Sequence, residues 1–140
     1  IDSPEKARWV LARTGADAVM IGRAAQGRPW IFQEIHHYLS TGAHLPPPAT
    51  TQVREWLLAH LEDHYSLYGE VAGVRTARKH IGWAVRGLPQ GEAFRAHMNT
   101  LDQSHLQQAA LDAYLHTLGQ SHDTWPATAA LHSHADRQAA

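Results

Sequence analysis

The sequence contains no cysteine. Disulfides, thiolate metal sites and a cysteine nucleophile are therefore excluded within these 140 residues. A cysteine-free composition is compatible with a reducing compartment, and the cytoplasm is the expected location. No apolar run approaches the roughly 20 residues of a membrane span, so no membrane partner is expected. Excess charge is lacking too. The 12 Lys and Arg against 13 Asp and Glu leave a net charge of −1 with histidines neutral, so any basic surface for a nucleic acid has to be local. There is no signal peptide and no internal repeat, and the chain begins at Ile1 rather than Met, so a piece of a longer or processed chain is expected. What is present, 44% hydrophobic and 18% charged residues, is the composition of a globular protein of about one domain.

Ser3-Pro4-Glu5 opens a helix. Ser caps free amides, Pro is tolerated in the first turn, and Glu suits the positive end of the helix dipole. Ala7, Val10 and Leu11 continue at helical spacing and Gly15 is a stop. Ala18-Val19-Met20-Ile21 is a continuous apolar run, which predicts a short strand buried on both faces, as in a parallel sheet. Gly22-Arg23 ends it, and a helix begins at Arg28-Pro29-Trp30 and runs to about Ser40. Helix, strand, glycine loop and helix is an α/β rhythm.

The segment from Thr41 to Thr51, with Pro46-Pro47-Pro48, breaks that rhythm and predicts a domain boundary. Beyond it no strand signal remains. Val53, Trp56, Leu57, His60, Leu61, His64, Tyr65 and Tyr68 define one amphipathic helix ended by Gly69. A second helix spans about Ala72 to Arg86, and a short third includes Phe94 and Met98. A fourth runs from about Asp102 to Leu118, with Leu106, Ala109, Ala110, Ala113 and Leu118 expected inward. Short connections predict a small antiparallel bundle. The stretch 119–140 has no sustained period and is expected to be a mobile tail.

Between Val71 and Gly91 there are four basic residues and no acidic one. At about 100° per residue, Arg75, Arg78, Lys79 and Arg86 share one flank, opposite Val74, Ala77, Ile81, Ala84 and Val85. Trp83 and His80 lie at the borders. Such a stripe suits a run of phosphates with a base or sugar stacked beside it; the plainer alternative is a solvated basic face. Gly22 lets a ligand approach the backbone and Arg23 offers a two-pronged fork to a phosphate, although Gly-Arg alone is equally an ordinary turn. His60 and His64 stand at i, i+4, a spacing that metals use, but no H-E-x-x-H arrangement and no cysteine accompanies them. Both fall on the apolar stripe, so they are taken as structural and no metal is expected.

Two motifs then stand together. The segment Thr14-Gly15-Ala16-Asp17-Ala18-Val19-Met20-Ile21-Gly22-Arg23-Ala24-Ala25-Gln26-Gly27-Arg28-Pro29-Trp30-Ile31-Phe32 resembles the last barrel strand of bacterial tRNA-dihydrouridine synthases, the B type above all. Arg75-x-x-Arg78-Lys79-His80-x-x-Trp83 resembles the signature of that family's C-terminal helical domain. The likeness runs from Ile1 to about Leu118.

The resemblance implies a mainly α chain: the last β/α unit of a (β/α)8 TIM barrel over 1–42, followed by a C-terminal helical bundle that binds tRNA over 43–118. It implies an FMN enzyme in which NADPH reduces the flavin. The flavin then passes a hydride to the C5–C6 double bond of a uridine turned out of the tRNA, and a cysteine acts as general acid. Gly22 and Arg23 match the family's contacts to the FMN phosphate. Arg75, Arg78, Lys79 and His80 match its RNA-facing helix.

The family's Asn-Gly-Asp segment and its catalytic cysteine would lie upstream of Ile1, so no catalytic residue and no synthase activity are expected of this chain by itself. Ala84 stands where the family often has an aromatic, a departure expected to thin packing or stacking there. A monomer is expected. Competing readings are a stand-alone helical RNA-binding module and an unrelated phosphate-binding barrel enzyme, the latter opposed by the motif from Arg75 to Trp83.

Overall fold

A computed structural model of the chain describes residues 1–126, and 127–140, the greater part of the expected tail, lie outside the described residues. Two compact units meet between Pro46 and Pro47, inside the proline triplet.

The first unit is a helix, an extended segment, one turn of 3-10 helix and a second helix. Helix α1 (Pro4–Thr14) starts where the Ser3 hydroxyl accepts a hydrogen bond from the Lys6 amide at 3.1 Å. It ends at Gly15, and helix α2 (Ile31–Thr41) ends in the same way at Gly42. Both glycines adopt left-handed angles that other residues populate at a cost. The core is small: Ala7, Ile31 and Ile35 are buried, and Ile1, Val19, Ile21, Ala24 and Ala25 pack partly against them. Arg8 donates to the Tyr38 carbonyl at 2.8 Å and lies over the Tyr38 ring, joining α1 to α2.

Ala18 to Ile21 does not form the expected strand. Val19 and Ile21 turn towards the core while Met20 is 84% exposed, so one face is covered rather than two. A strand exists through ladder hydrogen bonds to a neighbour. Among the described residues the sole β pairing is an isolated bridge between Ala49 and Thr124, in the other unit. An apolar run specifies burial; it does not by itself supply the partner.

The second unit is a helical bundle. Helix α3 (Thr50–Tyr68) turns at the single residue Gly69 into α4 (Glu70–Val85). Helices α5 (Gly91–Met98) and α6 (Ser104–Ser121) follow. The apolar stripe of α3 buries Val53, Leu61 and His64, and that of α4 buries Val74, Ala77, Ile81, Ala84 and Val85, the phase expected from sequence. Two glycines mark close approaches. A Cβ on Gly73 would lie 3.2 Å from the Tyr65 ring and 3.3 Å from its Cα, where α4 crosses α3. A Cβ on Gly91 would lie 2.2 Å from the Val85 carbonyl oxygen, too close for any side chain at the start of α5.

Helix α6 differs in phase from the sequence reading. Its buried positions are Gln107, Leu111, Leu115 and Leu118, whereas Leu106 is 41% exposed and Ala109 and Ala113 are exposed. Of the residues expected inward, Leu118 alone is buried. The reason is Gln107, fully buried with its amide satisfied. Its Nε2 donates to the Val74 carbonyl at 3.1 Å and contacts Met98 Sδ, and its Oε1 accepts from the Tyr65 hydroxyl at 2.6 Å. A polar side chain with every hydrogen bond made is tolerated in a core, and this one joins all four helices.

Helix α6 also runs past Leu118 to Ser121, and residues 122–126 fold back instead of trailing away. The Thr50 amide donates to the Asp123 carbonyl at 2.9 Å, the Thr50 hydroxyl to the His122 carbonyl at 2.6 Å, and the Trp125 amide to the Pro48 carbonyl at 2.8 Å. Trp125 is buried. Its large apolar area and a backbone pairing with the start of α3 give this segment the anchorage that its polar composition hides.

Candidate functional site

The flank of α4 opposite its buried face carries the cations, and α5 supplies the facing wall. Arg78, Lys79, Gly82, Trp83 and Arg86 from α4, with Glu92 and Arg95 from α5 and Asn99 just beyond, line a groove of about 280 Å³. Four of these are basic and one is acidic. Arg95 reaches Glu92 at 3.4 Å, an exposed pair one turn apart. None of Arg75, Arg78, Lys79 and Arg86 is in an ion pair among the described residues. A groove with surplus positive charge and an aromatic wall suits a phosphate next to a planar ring.

Each wall is fixed by its own contacts. Arg78 donates through Nη2 to the Leu101 carbonyl at 2.9 Å, and its Nε is buried without a partner. A guanidinium N–H shielded from water and left unpaired is costly, and it is the donor most in need of an acceptor here. Lys79 holds its ammonium 4.9 Å from the centre of the Trp83 ring, so the two form one cationic and aromatic surface. On α5, Phe94 stacks on Tyr114, whose hydroxyl donates to the Pro89 carbonyl at 2.8 Å and fixes the turn into that helix. Burial raises the Tyr114 pKa, which keeps this hydroxyl a donor. Ala84, where an aromatic was a family expectation, is on the buried face. Its methyl touches the core, and an aromatic ring there would not face the groove.

Of the four residues expected to face RNA, Arg78 and Lys79 line the groove. Arg75 is exposed on α4 one turn towards its N-terminus, outside the lining. His80 is turned towards α3. Its ring centre is 5.3 Å from those of both His60 and His64, and it sits edge-on to Trp83 at 5.2 Å. Burial is the main cause lowering the pKa of both His64 and His80; His60 adds to each, and His64 and Lys79 add further to His80. Arg95 and Asn99 were missed from the sequence, because they belong to α5 and its end and come to the groove only through the crossing of α4 and α5.

In the first unit Gly22 precedes the 3-10 turn Arg23–Ala25. A Cβ on Gly22 would meet nothing closer than Met20 Sδ at 4.0 Å, so the space over this backbone is open. Arg23 is exposed and makes no ion pair among the described residues, whereas nearby Arg28 is held by Glu34. An open glycine beside an uncommitted guanidinium fits an anionic group such as a phosphate.

The family model described as Dihydrouridine synthase (Dus) matches residues 1–118. The chain belongs to the dihydrouridine synthase family. It is 58% identical over 109 residues to tRNA-dihydrouridine synthase B of Xanthomonas campestris pv. campestris, a match covering 78% of this chain and 33% of the relative. Identity to tRNA-dihydrouridine synthase B of Pseudomonas putida is 55% over 113 residues, 81% of this chain and 34% of the relative. For that of Shewanella oneidensis it is 54% over 112 residues, 80% and 34%. The chain thus spans about a third of the length of the curated relatives it matches. The B-type likeness and the helical character expected from sequence both hold for this member of the dihydrouridine synthases. No helix among the described residues is long and apolar enough to cross a membrane.

Proposed function

We propose that this chain supplies the tRNA-gripping helical unit and the flavin-phosphate turn of an FMN-dependent tRNA-dihydrouridine synthase. The observation that carries the reading is the groove between α4 and α5, where Arg78, Lys79, Arg86 and Arg95 surround Trp83. Arg78 adds its charge to the groove wall, its guanidinium anchored through Nη2 on the Leu101 carbonyl. Lys79 and Arg86 add charge along the backbone path, and Trp83 offers a face to a base or ribose. Arg75 extends the positive flank beyond the groove as a weaker, long-range contribution. His80 contributes by holding Trp83 edge-on rather than by touching RNA.

Gly22 and Arg23 would hold the FMN phosphate, the glycine by leaving the backbone open and the arginine by a two-pronged hydrogen bond. When bound, the flavin supplies hydride transfer to the C5–C6 bond of uridine, with NADPH as its reductant. The general acid lies outside this chain, which has no cysteine. Its own residues therefore bind and orient. A second reading, an RNA-binding module without catalysis, is favoured by one fact: the whole groove is built inside the second unit.

Binding of unmodified tRNA to the full chain across a salt series tests the groove. Lys79→Ala and Arg86→Ala are each expected to lower the salt slope by about one unit, as one phosphate contact is lost. Trp83→Ala is expected to cost about 1–3 kcal/mol with the slope unchanged, as one stacking partner is lost. Slopes identical to wild type in both charge variants refute the groove as the RNA site.

A further inference from the structure

Helices α3 and α4 bring three imidazoles together at a place the basic groove does not use. His60 and His64 stand one turn apart on α3, and His80 faces them from α4. One ring nitrogen from each lies within 4.8 Å of the others. The sequence shows the pair on α3 but not the third member, since the 16 residues from His64 to His80 include the turn at Gly69. Gly73 lets α4 approach closely enough for the three to meet.

The surroundings select a protonation pattern. His64 Nε2 is 2.7 Å from the Thr76 hydroxyl, and that hydroxyl directs its proton to the Ala72 carbonyl at 2.8 Å. A hydroxyl has one proton, so with that proton on the Ala72 carbonyl Thr76 accepts from His64 Nε2–H. The lone pair of His64 then resides on Nδ1. An imidazole whose second nitrogen donates to an oriented oxygen is in the state that metal-ligating histidines adopt. The donor set is three imidazoles with no thiolate and no carboxylate, a set that suits borderline first-row divalent ions and not oxygen-seeking Mg²⁺ or Ca²⁺.

We propose that His60, His64 and His80 form a three-histidine site for a borderline divalent cation of the zinc class, joining α3 to α4 with a fourth position open to water. Zinc–nitrogen bonds of about 2.0 Å place tetrahedral ligands about 3.3 Å apart. Closure from the present arrangement therefore asks for a movement on the order of 1 Å, within reach of a rotation of exposed His60. Lys79, the cation that acts electrostatically on His80, holds its ammonium over the Trp83 ring. Zinc here would also brace Trp83 through His80.

Titration of the full chain with zinc chloride by calorimetry tests the site, with Co²⁺ as a spectroscopic probe of coordination. The expected result is one equivalent bound with micromolar affinity or better, and the intense visible absorption of four-coordinate Co²⁺. His60→Gln and His80→Gln are each expected to weaken binding by about tenfold or more. The double variant His36→Gln/His37→Gln, on α2, is expected to bind as wild type. His60 is exposed, so His60→Gln retains the fold, checked by an unchanged metal-free melting temperature; zinc is expected to raise that temperature in wild type and not in this variant. No binding by the full chain, or binding that His60→Gln and His80→Gln leave unchanged, overturns the proposal.

Discussion

The two units solve the burial problem differently. The unit from Pro47 encloses Val53, Leu61, Val74, Ile81, Met98, Leu111 and Leu115 with a satisfied polar residue at its centre. The unit to Pro46 buries five residues, Pro4, Ala7, Trp30, Ile31 and Ile35, and leaves Trp9 57%, Met20 84% and Phe32 51% exposed. Both have apolar sequence to bury. Helices bring their own backbone hydrogen bonds and need only a neighbour's side chains, so α3 to α6 complete one another. The extended run Ala18 to Ile21 needs ladder partners as well. The same contrast separates the sites: the groove has walls on two helices of one unit, whereas Gly22 and Arg23 present a single open turn.

Hydrogen exchange sharpens this contrast most. Amides of α4 from Val74 to Ile81 are expected to be protected to the full stability of their unit, about 5 kcal/mol or more, while those of Ala18 to Ile21 exchange with little protection. Equal protection in the two segments breaks the comparison. Next in size, Leu111→Ala is expected to cost about 2–5 kcal/mol in denaturant unfolding, against about 0.5 kcal/mol or less for Met20→Ala at its exposed position. A cost below about 1 kcal/mol for Leu111→Ala denies the second unit a tightly packed core.

Tyr65 gives a smaller effect with a pH signature. Tyr65→Phe leaves the buried Gln107 carbonyl oxygen without its donor, an expected loss of about 1–3 kcal/mol. Burial, followed by Glu70 and Glu62, pushes the Tyr65 pKa up to about 12. A group raised in the folded state contributes its stability in full below the unfolded pKa of about 10. That contribution is lost as pH rises towards 12. The gap in melting temperature between wild type and Tyr65→Phe should therefore narrow over that window, and a constant gap counts against the burial of this hydroxyl. Smallest of all, Arg54 donates to Asp112 at 2.6 Å across α3 and α6, with both side chains about a third exposed. Arg54→Met is expected to cost at most about 1 kcal/mol, and a much larger loss in thermal unfolding would show that the pair is shielded from solvent.

By itself the sequence determined whatever depends on near neighbours along the chain. The Ser3 cap, the stops at Gly15 and Gly69, the two faces of α4 and the run of cations from Arg75 to Arg86 all follow from local spacing and backbone preference, because one helix turn fixes which side chains share a flank. Tertiary structure decided what depends on how helices cross. It turned α6 so that Gln107 rather than Leu106 faces inward, brought Arg95 opposite Arg78, drew His80 away from the groove to His60 and His64, and folded Trp125 onto the start of α3. It also withheld the ladder that would make Ala18 to Ile21 a strand. Periodicity gives each element a face, but the partner of that face is set by the crossing geometry and the hydrogen bonds available across it, and neither is encoded within a single turn.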